Sequence, residues 1–374
     1  MTLRHPRWTI AARPALVGLA VVSAIVGAFA VVRAAPNVWA ADAERNLEAA
    51  RALVNGSFGT VADYLYSPLA AALAMPALAV PTDVAVFAWL VFELLVLVVL
   101  TAVATRGMEQ PDRLLAGIVV ICFLPVLYDL ELGNLTVLVA ASVALVAWTP
   151  DRFATGIPLG LVLATAPKPQ LIPVLIWLAV FHRRALAGAI GTAAAATLAG
   201  VAFIGPGAYA TWVEILRAPR YLGGGPVINL ALWSMPLPLA LAGSVAAVGA
   251  FVLALRRGYW PGLIAAICVG LLIAPYTLIY AAGVLLVGVP AAARAAPRAV
   301  LGLAVTAPIA LVLAFPVWVG AVLALAVLVP ADRWSASPMR RRPSAPDPET
   351  GGGGAPASAA AVPAPDPDDR AELL

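Results

Sequence analysis

Long apolar runs, each almost free of charge, alternate with short polar breaks along the first 330 residues or so of the chain. The runs 15–32, 84–104 and 237–255 each approach the roughly 20 residues that a helix needs to cross a bilayer. Polar positions do not recur every second residue in ten-residue segments, as the wall of an outer-membrane barrel requires. The runs are rich in Ala, Leu, Val and Gly, which suits helices that approach one another closely in lipid. The pattern therefore predicts an all-α protein, a polytopic transmembrane helical bundle. Two neighbouring runs, 154–166 and 169–181, are short; they are expected to form a helical hairpin that turns at Lys168.

Composition reinforces this reading. Of 374 residues, 63% are hydrophobic and 11% charged, and the mean hydropathy is +0.96. A soluble domain needs far more charge to cover its surface. Arginine placement then orients the bundle, because basic residues gather in cytoplasmic flanks; it suggests about twelve spans with both termini inside. The predicted cytoplasmic segments hold Arg4, Arg7 and Arg13, then Arg106 and Arg113, Arg152, Arg183 and Arg184, Arg256 and Arg257, Arg294 and Arg298, and Arg333 with Arg340–Arg342. The other side keeps Arg33, Arg45, Arg51, Lys168, Arg217 and Arg220. The basic N-terminus followed by a long apolar run reads as an uncleaved signal anchor. Residues 1–330 thus form a membrane domain. Residues 331–374, rich in Pro, Ser, Gly and Ala with an acidic end, are expected to be a disordered cytoplasmic tail.

Several chemistries fall away at this stage. Cys122 and Cys268 each lie inside an apolar run, and His5 and His182 sit beside arginines. No Cys-based metal site, zinc site or Ser-His-Asp arrangement is supported. No glycine-rich nucleotide loop is evident. Neither a cofactor, a metal nor a nucleic-acid partner is expected.

Two extracytoplasmic segments stand out by length, 35–81 and 205–236, and function usually sits on such loops. The first begins with Asp42-Ala43-Glu44-Arg45 and reads as a surface helix through Val54, ended by Asn55-Gly56. The second carries Trp212, Glu214, Arg217, Arg220, Tyr221 and a Gly-Gly-Gly-Pro run at 223–226. Carboxylates are scarce, so their places are informative. Asp42 at the start of the surface helix is either its N-cap or a general base at the membrane edge. Asp63, Asp129 and Glu131 are further candidates on the same face, each equally a solvated loop residue. Glu93 lies within a span, where a charge is costly and often functional. Lys168, the one lysine, stands between Pro167 and Pro169. It either binds an anionic phosphate beside the start of the helix that Pro169 opens or snorkels to a lipid headgroup. Arg217 and Arg220 would supplement its charge.

The run from Asp42 through Leu47-Glu48-Ala49-Ala50-Arg51-Ala52-Leu53-Val54-Asn55-Gly56 to Tyr64-Leu65-Tyr66-Ser67-Pro68-Leu69 resembles the first outer loop of glycosyltransferase family 87. The resemblance continues in Leu132-Gly133-Asn134-Leu135, in Gly160 to Lys168-Pro169-Gln170, in His182-Arg183-Arg184 and in Asn229-Leu230-Ala231. It spans most of residues 13–330. Two places depart from the pattern: Ser67 stands where a second Pro is frequent, and Ala274 to Ala281 matches only partly. The resemblance implies a GT-C-like fold and transfer of a sugar, mannose, from a polyprenyl-phosphate donor to an extracytoplasmic glycolipid or glycan acceptor. It also implies Asp42 as the catalytic base of an inverting direct displacement. Lys168, Arg217, Arg220, Tyr64, Tyr66, Asn134, Asn229 and Tyr280 would contact the substrates, with membrane lipids around them. A lipid-linked sugar transporter or flippase, drawn from Glu93, and a non-catalytic membrane scaffold are the rival readings.

Overall fold

The computed structural model describes residues 40–61, 64–106, 108–217, 231–275 and 277–335, with isolated positions between 14 and 25. Asp63, Arg220, Tyr221 and Asn229, the arginines of the N-terminus, and the tail beyond Ser335 lie outside the described residues. Every regular element among the described residues is helical. In chain order the α-helices are α1 (Ala41–Val54), α2 (Pro68–Ala74), α3 (Thr82–Ala104), α4 (Gln110–Ile121), α5 (Leu124–Leu132), α6 (Thr136–Trp148), α7 (Phe153–Thr165) and α8 (Ile172–Phe181). They continue with α9 (Arg183–Ile204), α10 (Pro206–Arg217), α11 (Leu237–Arg257), α12 (Tyr259–Ile273), α13 (Val289–Ala295), α14 (Pro297–Leu313), α15 (Phe315–Leu328) and α16 (Ala331–Ser335). Short 3-10 turns join some of them, among them Pro169–Leu171 before α8 and Ile279–Val287 before α13.

Three of these helices, α3, α9 and α11, are long and apolar enough to cross a membrane, at 23, 22 and 21 residues. A fourth candidate is the pair α4 and α5, which is bent by 59° at Cys122-Phe123. The other apolar helices run 10–17 residues, which is short of a full crossing. Proline is the physical reason for much of this segmentation. It occupies the first turn of α5, α8, α13, α14 and α15. There its missing N–H costs nothing, but it cannot continue a helix arriving from the preceding segment.

α12 is the axis of the bundle. Every residue from Trp260 to Leu272 is buried, against α8, α11, α15 and the Ile279–Val287 turn. A helix apolar all round belongs in such a place. Long apolar side chains on α3, α9 and α11, such as Phe87, Leu198, Phe203 and Val245, point outward instead, as they do when lipid covers the surface.

The expected hairpin is present. α7 and α8 run in opposite directions from the turn at Lys168, and α9 returns along α7. Its far end is tied by Asp151, whose carboxylate accepts from the backbone N–H groups of Arg184 at 3.3 Å and Ala185 at 2.9 Å, capping α9. Arg152 therefore stands at the same end as Arg183 and Arg184, as the hairpin requires. α7 and α9 touch backbone to backbone. A methyl group on Gly156 would collide with the carbonyl of Ala185, so only glycine admits this closeness. The hairpin in turn sets where Lys168 can stand.

Candidate active site

The site is assembled at the ends of four segments. α5 stops at Gly133, whose backbone is left-handed at φ 64. Glycine is needed there for its conformation and also for space, since an added Cβ would come within 2.8 Å of the Ala43 side chain on α1. The Trp89 indole of α3 donates to the Gly133 carbonyl at 3.1 Å, and the Ala40 N–H donates to the Glu131 carbonyl at 2.6 Å. These contacts bring the start of α1 directly over the turn that carries Asn134.

Asp42 lies in the first turn of α1, but it is not the N-cap. That position belongs to Ala40, which takes the left-handed backbone at φ 62 and makes no side-chain cap. The capping reading of Asp42 is thereby overturned, because the chain enters α1 two residues earlier than a capping aspartate would require. The Asp42 carboxylate turns instead toward Asn134, whose Nδ2 donates to Asp42 Oδ2 at 2.6 Å. Arg45, one turn along and largely in solvent, approaches the other oxygen at 3.8 Å, a pair of small energetic weight.

Lys168 reaches the same amide from the opposite side. Its Nζ donates to Asn134 Oδ1 at 3.1 Å and lies 5.2 Å from the centre of the Tyr280 ring, within reach of a cation–π attraction. Thr136 Oγ1 donates to the same Oδ1 at 3.2 Å. Burial pulls the Lys168 ammonium below its ordinary range, while the carboxylates of Asp129 and Asp42 oppose that pull. As expected, Pro169 opens a helical segment directly after it.

Asp129 is occupied structurally. It is 1% exposed, and its carboxylate accepts from the backbone N–H groups of Thr136 at 3.3 Å and Val137 at 2.9 Å. It thus satisfies the free donors at the start of α6. Tyr64 donates its hydroxyl to Asn46 Oδ1 at 2.9 Å and packs edge-on against Tyr66. Burial first, and then the nearby Asp42 carboxylate, hold the Tyr66 phenol well above its usual range, so it stays a hydrogen-bond donor. Arg217 ends α10 in an exposed position.

Below the cluster opens a cavity of about 1160 Å³. Asp129, Thr136 and Tyr280 line one end of it, and Thr136 and Tyr280 are also the residues that touch Asn134 and Lys168. Its wall follows α6 through Val137, Ala140, Ala144 and Trp148, a length of roughly 16 Å at 1.5 Å per residue. Arg106 and Arg294 line it further on. Glu93 is fully buried and is absent from this lining.

Of the residues expected to act, Asp42, Lys168, Asn134, Tyr66 and Tyr280 are therefore brought together, with Tyr64 behind them. Trp89, Thr136 and the capping role of Asp129 were not anticipated. The Gly133-Asn134 pair after an apolar run was the available signal, since glycine there marks a helix end. Among comparisons with known proteins, the family model of glycosyltransferase family 87 matches residues 64–275, a stretch that contains Asn134 and Lys168 and begins after Asp42. No curated protein and no solved structure matches the chain. With more than half of its length matched, the chain belongs to glycosyltransferase family 87, and it is a glycosyltransferase rich in apolar helices.

Proposed function

We propose that the protein transfers a sugar, mannose, from a polyprenyl phosphate to a hydroxyl of an extracytoplasmic glycolipid or glycan, by one inverting displacement. The observation that carries this reading is the pairing of a carboxylate and an ammonium across one amide, directly above an apolar cavity. A lipid-phosphate donor needs both: a cation for its phosphate and an apolar slot for its chain. Asp42 takes the proton from the acceptor hydroxyl as that oxygen bonds to the anomeric carbon. The bond from this carbon to the phosphate oxygen breaks on the opposite face, and its electron pair leaves with the polyprenyl phosphate. Lys168 meets the growing negative charge there. An ammonium has three N–H donors; one is held by Asn134, which leaves two for phosphate oxygens. Tyr66 and Tyr280 flank the space for the sugar.

The transporter reading drew on Glu93. That residue is buried and does not line the cavity. The test of the proposed function is direct: purified protein is incubated with polyprenyl-phosphate sugars and a membrane-lipid extract, and the products are weighed by mass spectrometry. A new glycolipid heavier by one hexose supports the reading. Products from no donor, or from nucleotide sugars alone, overturn it.

The site faces the outside in this proposal, with both termini in the cytoplasm and the bundle crossing the membrane several times. A cysteine at exposed Glu48, near the site, should react with an impermeant maleimide added to intact cells; one at exposed Pro150, beside Asp151, should not. The background lacks Cys122 and Cys268. The reverse labelling pattern would invert the orientation.

A further inference from the structure

Asn134 was expected to contact substrate, yet it is 1% exposed and both ends of its amide are taken up inside the protein. We infer that Asn134 is a positioning residue whose amide keeps Asp42 and Lys168 aligned and out of direct contact, so that neither is consumed in an ion pair. The inference rests on the proposed roles of Asp42 as base and Lys168 as phosphate ligand.

An ionised carboxylate only accepts hydrogen bonds and an ammonium only donates them. A side chain that satisfies both must present a donor at one end and an acceptor at the other, and an amide does so with no net charge. The orientation of this amide is locked three ways. Lys168 and Thr136 both direct donors at Oδ1, Asp42 takes Nδ2, and the Asn134 backbone N–H donates to the Asp129 carbonyl at 3.0 Å. Without a spacer, opposite charges this deep attract strongly in a medium of low dielectric constant and close on each other. A closed pair would tie up the lone pairs needed for the acceptor proton and the N–H groups needed for phosphate. Holding the two apart also suits an inverting displacement, in which base and leaving group act on opposite faces of one carbon.

Two variants test this, run beside wild type and Asp42→Asn. Asn134→Leu keeps the volume and removes both polar ends. It should lower kcat about a hundredfold and raise the KM for the polyprenyl-phosphate donor about tenfold. Asn134→Asp is isosteric, but its charge makes with Lys168 the direct ion pair that the neutral amide avoids, so donor KM should rise here as well. Its carboxylate also faces Asp42 and should move the acid limb of kcat/KM upward by about one pH unit or more. The other charged and titratable groups around this cluster include Arg45, Lys168, Tyr66, Glu93 and Asp129, and both variants leave them in place. A merely structural Asn134 predicts lower thermal stability with an unmoved pH profile, and that result overturns the inference. Wild-type kcat in Asn134→Leu overturns it as well. Should the Leu variant fail to fold, the Asp variant decides. If Asp42→Asn itself transfers sugar normally, the proposed roles fail; if it is silent while both Asn134 variants behave as wild type, only the present inference fails.

Discussion

Asp42→Asn should lose sugar transfer by about two to four orders of magnitude while expressing and melting like the wild type. Asparagine has the same size and can present its own oxygen to Asn134 Nδ2, so the 2.6 Å contact survives. The substitution forfeits no cap, because Ala40 holds that place. It also loses an ion pair with Arg45, but that arginine is 48% exposed and such a pair contributes at most about 1 kcal/mol. What disappears is the ability to take a proton. Initial rates at saturating donor and acceptor, with thermal melts of the same samples, give the comparison. Asp129→Asn is the informative contrast: it weakens the cap of α6, so stability should fall by about 1 kcal/mol with transfer retained. An active Asp42→Asn beside an inactive Asp129→Asn would move the base to Asp129. Asp63→Asn, outside the described residues, serves as a further control. Activity in all three would reopen the transporter and scaffold readings.

The second large effect is expected at Lys168. Lys168→Met keeps the length of the stem but removes the charge, the hydrogen bond to Asn134 and the cation over Tyr280. The donor KM should rise about ten- to hundredfold, the worth of a hydrogen bond to a charged group. kcat should fall by a further factor of about a hundred to a thousand, because the charge growing on the leaving phosphate loses its counterion. Lys168→Arg should fall between, since it keeps the charge but changes its geometry. The pH dependence has a defined sign. Burial makes Lys168 lose its proton at lower pH than an ordinary lysine, with Asp129 and Asp42 acting against that shift. The alkaline limb of kcat/KM should therefore begin below the ordinary lysine range, and Lys168→Arg should abolish it. An unchanged donor KM and kcat in the Met variant would return Lys168 to a headgroup role. The structure already makes that role harder to hold, because the ammonium points inward onto Tyr280 and Asn134.

The two readings of Asp42 show where sequence reasoning stopped. An aspartate at the head of a helix is a cap or a chemical group, and both are compatible with the same run of letters. One backbone angle separated them: Ala40 adopts the left-handed conformation that a cap search based on side-chain type passes over. Lys168 was legible because its neighbours Pro167 and Pro169 interrupt an apolar run, and proline acts through its own ring and missing N–H. The span lengths were less legible. Hydropathy counts apolar letters, whereas helix length depends on where proline removes a donor, and α8, α13, α14 and α15 are all cut short there.

By itself, then, the sequence determined the all-helical membrane class, the hairpin turning at Lys168, and Asp42 and Lys168 as the charged residues to watch, while Asn134 entered only through the family resemblance. The first three follow from local chemistry: runs of apolar side chains, proline at segment starts, and charge where charge is rare. Only the tertiary structure decided that Asn134 joins Asp42 to Lys168, that Asp129 caps α6, and that a cavity of about 1160 Å³ opens beneath them. The reason is separation along the chain. Asp42 lies 92 residues from Asn134, and Asn134 lies 34 from Lys168. No periodicity links positions that far apart; the packing of α1 onto the Gly133 turn, and of α7 along α9, brings them within hydrogen-bond reach.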